Sequence, residues 1–112
     1  MDQALLWTAA LLTGLYGALT AFAGVGQLGA GKIQRWAALG LVFFGMLVIA
    51  SAVLAWMRSG STFWLLILGL LGIHAVAINN GLKMYGRIDL SHHLARLLIS
   101  AVLLLLTWLG LR

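Results

Sequence analysis

Long apolar runs separated by short polar breaks dominate the chain. Apolar stretches occupy residues 4–25, 36–57, 62–78 and 92–111, and the third extends through Gly81 if Asn79 and Asn80 lie at the headgroup level. A helix crossing the ~30 Å hydrocarbon core of a bilayer needs roughly 20 mostly apolar residues. Barrel strands would instead alternate apolar and polar positions in pieces of about ten residues, whereas these runs are apolar on every face. The pattern predicts an all-α integral membrane protein. Its four transmembrane helices, about 4–25, 36–57, 62–81 and 91–111, would form an antiparallel up-down bundle and one domain over residues 1–112. The expected connections run from Gly26 to Arg35, Arg58 to Ser61 and Asn79 to Ser91.

Composition narrows the picture. Of the 112 residues, 63% are hydrophobic and 8% charged, against about a quarter charged in soluble domains. A soluble enzyme or disordered tail is thereby excluded, and the absence of Cys excludes a disulfide scaffold. With four spans, the first and third connections share one side, which carries Lys32, Arg35, Lys83 and Arg87. The other side holds Arg58 and Arg112 against Asp2. The positive-inside rule makes the first and third connections cytoplasmic and both termini extracytoplasmic. Trp7, Trp56, Trp64 and Trp108 then fall at the outer ends and Trp36 at an inner end, as an aromatic belt requires. Ala21-Phe22-Ala23-Gly24 has the small-x-small look of a signal cleavage site, but Asp2 stands where a basic cluster belongs and the apolar run is long. The first span is expected to be retained.

Small and polar residues mark the packing faces. At about 100° per residue, Thr13, Tyr16, Gly17, Thr20, Gly24 and Gln27 form one stripe on the first span. Ala10, Gly14 and Ala18 form a small-xxx-small strip beside it. Gly40 and Gly45 in the second span and Gly69 and Gly72 in the third should allow close helix approach. On the fourth, Asp89, His93, Arg96, Ser100 and Thr107 share a stripe. Both stripes should face the bundle interior or a partner subunit, as helix-packing surfaces or a pore lining. The chain has no Pro, so straight helices are expected.

The candidate chemistry is sparse. Gly24 to Gly29 matches G-x-G-x-x-G, and Gly26 to Lys32 matches G-x-x-x-x-G-K. Phosphate cradles need a preceding strand and, for magnesium, a Ser/Thr after the Lys; here Ile33 follows. The segment reads instead as a flexible turn ending in a cationic lip, Lys32 and Arg35. His74, twelve residues beyond Thr62, lies roughly 18 Å down the third span. An ionisable group at that depth is a functional candidate. It reads as an interhelical tie, a proton or ligand handler, or a metal or haem ligand. His92 and His93 point about 100° apart and do not chelate as a pair.

Asn79, Asn80, Lys83, Arg87, His92, His93 and Arg96, with Tyr85 and Asp89, form the densest polar cluster. With His74 they are the candidate contacts for a ligand or for anionic lipid headgroups. The cations also serve topology alone. Asp89 or Ser91 is placed to cap the fourth helix. Arg96, about one turn into the span, can snorkel to the interface or reach toward His74. No nucleophile and base sit within reach of one another, and no metal site or cofactor is expected. The +5 charge is explained by topology without nucleic acid.

In size and span count the chain resembles the small multidrug resistance exporters, which are four-span dimers. That family places a Glu in its first span. The only acids here are Asp2 and Asp89, so proton-coupled cation export by that chemistry is not implied. The leading expectation is a non-enzymatic accessory protein, membrane-stabilising or interaction-forming, of the cell membrane, specifically the bacterial cytoplasmic membrane. Its partners would be anionic lipids, further copies of itself or a larger membrane protein, met through the basic cytoplasmic rim. The alternative is an oligomeric channel or transporter for a small ion or solute, with His74 and the fourth-span stripe lining the path.

Overall fold

The computed structural model describes residues 3–31, 35–57, 59–85 and 90–111. Four helices, α1 (Gln3–Ala30), α2 (Arg35–Trp56), α3 (Ser61–Tyr85) and α4 (Leu90–Leu111), form a bundle of 44 × 25 × 17 Å. Each contains a stretch long and apolar enough to cross a membrane. Each packs chiefly on its two neighbours around the ring α1–α2–α3–α4; the α1–α2 interface is the most extensive of these four and α3–α4 the least.

The α1–α2 seam follows from the spacing of small residues. Buried positions Leu6, Ala10, Thr13, Gly17, Thr20 and Gly24 of α1 advance by alternating steps of four and three. Ala38, Leu41, Gly45, Val48, Ala52 and Ala55 of α2 do the same. An average step of 3.5 keeps a seam turned toward its partner. A methyl group added at Gly17 would lie 2.8 Å from the Gly45 carbonyl oxygen, and one at Gly24 would lie 2.8 Å from that of Ala38. The two backbones touch, which only small residues permit. Of the strip Ala10–Gly14–Ala18, Ala10 is buried in this seam and a methyl at Gly14 would meet Ala52 Cβ at 3.6 Å, whereas Ala18 is exposed. Steps of four alone drift off the seam, because a turn takes 3.6 residues.

The core is layered along the bundle. Leu6, Ala10 and Ala55 form one end. Val48, Leu66, Leu70, Ile73 and Leu103 form the middle, and Ala37, Ala38, Leu41 and Val76 the other end. The outer surface is apolar too, with Leu11, Phe22 and Trp64 each more than 70% exposed. Trp7 and Trp56 stack at one end of the α1–α2 pair, with ring centroids 5.3 Å apart.

Two connections are shorter than the sequence led us to expect. α1 continues through Gly26 to Ala30, so the expected flexible turn is helical there. Gln27, Leu28 and Ala30 are adequate helix formers, and Gly24 is anchored against α2. The helix stops at Gly31, whose N–H still donates to the Gln27 carbonyl at 2.9 Å while its φ of +68° turns the following chain off the helix axis. The G-x-G-x-x-G segment therefore spends its amides inside a helix and forms no phosphate cradle. α3 likewise runs on to Tyr85 through Leu82, Lys83 and Met84, all favourable in helices. Asn79 and Asn80 thus lie on the helix, as the 62–81 span has them, and Lys83 lies on it too rather than in a connection. Between α2 and α3, Ser59 starts the new helix: its carbonyl accepts from the Thr62 hydroxyl at 2.7 Å and its Oγ from the Ser61 N–H at 3.3 Å.

Candidate functional site

The polar stripes turn inward. On α4, Ser100 and Thr107 are buried and His93 and Arg96 half-buried. On α1, Thr13, Gly17 and Thr20 are buried, with Tyr16 and Gln27 half-buried. The α4 positions recur near helical spacing on the face met by α1 and α3, whereas Leu97 and Leu98 on its other faces are exposed.

Two interhelical contacts organise this interior. His74 of α3 and Ser100 of α4 are hydrogen-bonded, with 2.8 Å between Nε2 and Oγ. Arg96 of α4 donates from Nη1 to the Tyr16 hydroxyl of α1 at 3.5 Å. His93 and Arg96 also lie near enough to act on His74 electrostatically. Tyr16, His74, His93, Arg96 and Ser100 therefore form one constellation fed by three helices. Sequence spacing placed the α4 members together. Their meeting with Tyr16 was not legible, because a stripe gives a helix face but not its partner.

Other buried polar atoms divide into two groups. The Ser51 hydroxyl donates to the Val48 carbonyl at 2.6 Å, and that of Thr62 to its own segment's backbone. By contrast, Thr13 Oγ1, Thr107 Oγ1, Gln27 Oε1, Asn79 Nδ2 and Asn80 Oδ1 are buried without a hydrogen-bond partner among the described residues. Lys83 stands on the last turns of α3, but its side chain and that of His92 lie outside the described residues, as do Arg87, Asp89 and Lys32. Among the described residues, no three His, Cys, Asp or Glu side chains converge as metal ligands would.

An apolar groove of about 350 Å3 opens to the surface between α1 and α4. Leu12, Leu15, Tyr16 and Leu19 of α1 line one wall, and Leu98, Ile99, Val102 and Leu103 of α4 the other. The groove exists because α4 packs less closely on α1 than α2 does. No sequence signal marked it, since leucine covers every outer face of these helices. It adjoins the polar constellation through one residue: Tyr16 lines the groove and carries the hydroxyl that Arg96 reaches.

No protein-family model, curated protein or solved structure matches this chain.

Proposed function

We propose that this is a non-enzymatic accessory protein of the cell membrane, of the bacterial cytoplasmic type. It would be a four-span antiparallel bundle that engages anionic lipids or a membrane partner through its basic cytoplasmic rim. The observation carrying the reading is the Arg96–Tyr16 contact at the edge of an outward-opening apolar groove. A cation held beside apolar surface, near the end of a span, suits contact with anionic amphiphiles. The up-down arrangement is supported by the order of the pairs Gly17–Gly45 and Gly24–Ala38 on α1 and α2, and Gly69–Val48 and Gly40–Val76 on α2 and α3. The Trp7–Trp56 stack supports a common outer end for α1 and α2.

Sidedness is tested in a chain that has no native Cys. Cysteines introduced as Gly29→Cys and Ile88→Cys should resist an impermeant maleimide in intact cells, whereas Gly60→Cys should react. The reverse pattern overturns the assigned orientation. For the function, a detergent pull-down should return a partner or enriched anionic lipid. A stable monomer with neither overturns the accessory role.

One observation favours a second reading, an oligomeric channel or transporter. The buried hydroxyls of Thr13 and Thr107 have no partner among the described residues, and buried polar atoms of this kind commonly meet water or an ion. Liposome flux that falls in His74→Ala and Arg96→Ala supports a lined path; no flux, or flux unchanged by both, rejects it.

A further inference from the structure

We infer that the α1–α4 groove is a discrete binding site for one anionic phospholipid, its acyl chain between the two helices and its phosphate on Arg96. The inference rests on the lipid-contacting reading above and assigns that contact to one place.

The volume comes first. A cavity of about 350 Å3 falls within the roughly 300–1,000 Å3 of small-ligand sites. Its walls are leucine, isoleucine and valine with the Tyr16 ring. Such walls accept a hydrocarbon chain but do not select it, because within a bilayer any lipid tail is as apolar as leucine. Selection must come from a polar group beside it: Arg96 stands one turn before the groove-lining Ile99 on α4 and donates to the hydroxyl of the groove-lining Tyr16.

Depth is the second argument. The apolar run carried by α4 begins at His92. At 1.5 Å per residue, Arg96 lies about 6 Å along the helix from there and Leu98 to Leu103 about 9–17 Å. A leaflet is about 15 Å of hydrocarbon. A guanidinium on a flexible stem can therefore reach a headgroup phosphate, while the same lipid's tail passes along the groove. Lipid from the opposite leaflet would bring its tail, not its phosphate, to this level.

Charge is the third. By sequence, segments 26–35 and 79–96 hold Lys32, Arg35, Lys83, Arg87 and Arg96 against a single acid, Asp89. Whatever Asp89 pairs with, the excess is positive and favours an anionic headgroup over a zwitterionic one.

The test is native mass spectrometry of the full chain released from nanodiscs holding equal phosphatidylglycerol and phosphatidylcholine with identical acyl chains. The wild type should retain one phosphatidylglycerol with about fivefold preference, the scale of one cation at an anionic surface. Arg96→Gln should abolish the preference and Arg96→Lys should keep it. Val102→Trp, which fills the groove, should lose both lipids; Leu98→Trp serves the same purpose if that variant does not fold by circular dichroism. Retention unchanged in Arg96→Gln and in a folded groove-filled variant overturns the site. If the preference then vanishes only in Lys83→Gln/Arg87→Gln, the rim reading stands without the groove. If no form, wild type included, prefers phosphatidylglycerol, both readings fall. If filling the groove converts an oligomer to monomer while lipid is retained, a second copy occupies it and the lipid site is overturned.

Discussion

His74 and Ser100 meet across α3 and α4 at 2.8 Å, imidazole Nε2 to hydroxyl Oγ. The α3–α4 interface is the least extensive of the four around the ring, so a polar tie there has few apolar contacts to share its load. Interhelical hydrogen bonds in membranes contribute about 0.6 kcal/mol on average and up to about 1.7 kcal/mol. A double-mutant cycle of His74→Leu and Ser100→Ala, followed by unfolding in bicelles, should give a coupling energy in that range. A coupling near zero would show that the two side chains do not support each other.

Arg96 and Tyr16 form the second tie, at 3.5 Å, beyond the usual 2.7–3.2 Å of an N–H···O bond. Tyr16→Phe removes the acceptor but keeps the groove wall, and should cost less than about 1 kcal/mol. Arg96→Leu should have a different effect: retained helical content by circular dichroism with weaker discrimination between anionic and zwitterionic lipid. Equal loss of stability in both variants would mean that Arg96 acts only through Tyr16.

The glycines of α1 should separate by position. Gly17 has no room for a side chain, with the Gly45 carbonyl 2.8 Å from where a methyl would sit, whereas nothing lies within 4 Å of that point at Gly26. Overpacking typically costs about 1–3 kcal/mol. Gly17→Ala should therefore destabilise the bundle by roughly that amount. Gly26→Ala should be neutral or stabilising by up to about 1 kcal/mol, because alanine holds a helix better than glycine does. Unfolding curves for the two variants in the same bicelles decide it, and a similar effect at both sites would contradict the close α1–α2 approach.

Thr13 and Thr107 allow a test by sign. Their hydroxyls are buried and without a hydrogen-bond partner among the described residues, so an isosteric Val removes no protein hydrogen bond. Removing a buried, unmet polar group is neutral or stabilising. Thr13→Val and Thr107→Val should therefore not lower stability. Thr62→Val should cost about 1 kcal/mol, because that hydroxyl bonds the Ser59 carbonyl. If instead Thr13→Val is destabilising by more than about 1 kcal/mol, the hydroxyl is bonded to internal water, and the channel reading gains from it.

The stop signal of α1 can be moved by one residue type. Gly31 has a φ of +68°, where a Cβ is strained. Gly31→Ala should cost more than the corresponding change at Gly29, about 1 kcal/mol against a gain, and should fray the last turn as read by amide exchange from Gln27 to Ala30.

The number, type and approximate place of the helices were readable from the chain because each run of about 20 apolar residues is a local property, independent of what packs on it. The stripes were legible as shared faces; that Ser100 and Thr107 on α4, and Thr13 and Thr20 on α1, are buried within one bundle came from the structure. Helix ends were less legible. Gly26 and Gly29 look like a turn, but whether a glycine stops a helix depends on its φ, and of the glycines among the described residues only Gly31 adopts the positive one. Lys83, Arg87 and His92 are headgroup-contact candidates by sequence, and their side chains lie outside the described residues.

Periodicity reports which residues share a face; it carries no information about which face of another helix they meet, since the partner lies dozens of positions away. That is why alanine and glycine could be assigned to packing from the sequence, while the closer approach at Gly17 and Gly24 than at Gly14 came from the α1–α2 seam. The same reason holds for Tyr16, His74 and the groove. A tyrosine on α1, a histidine on α3 and an arginine on α4 become one constellation only when three helices are brought to one level. A gap between α1 and α4 is a property of how closely backbones approach, which no single segment encodes.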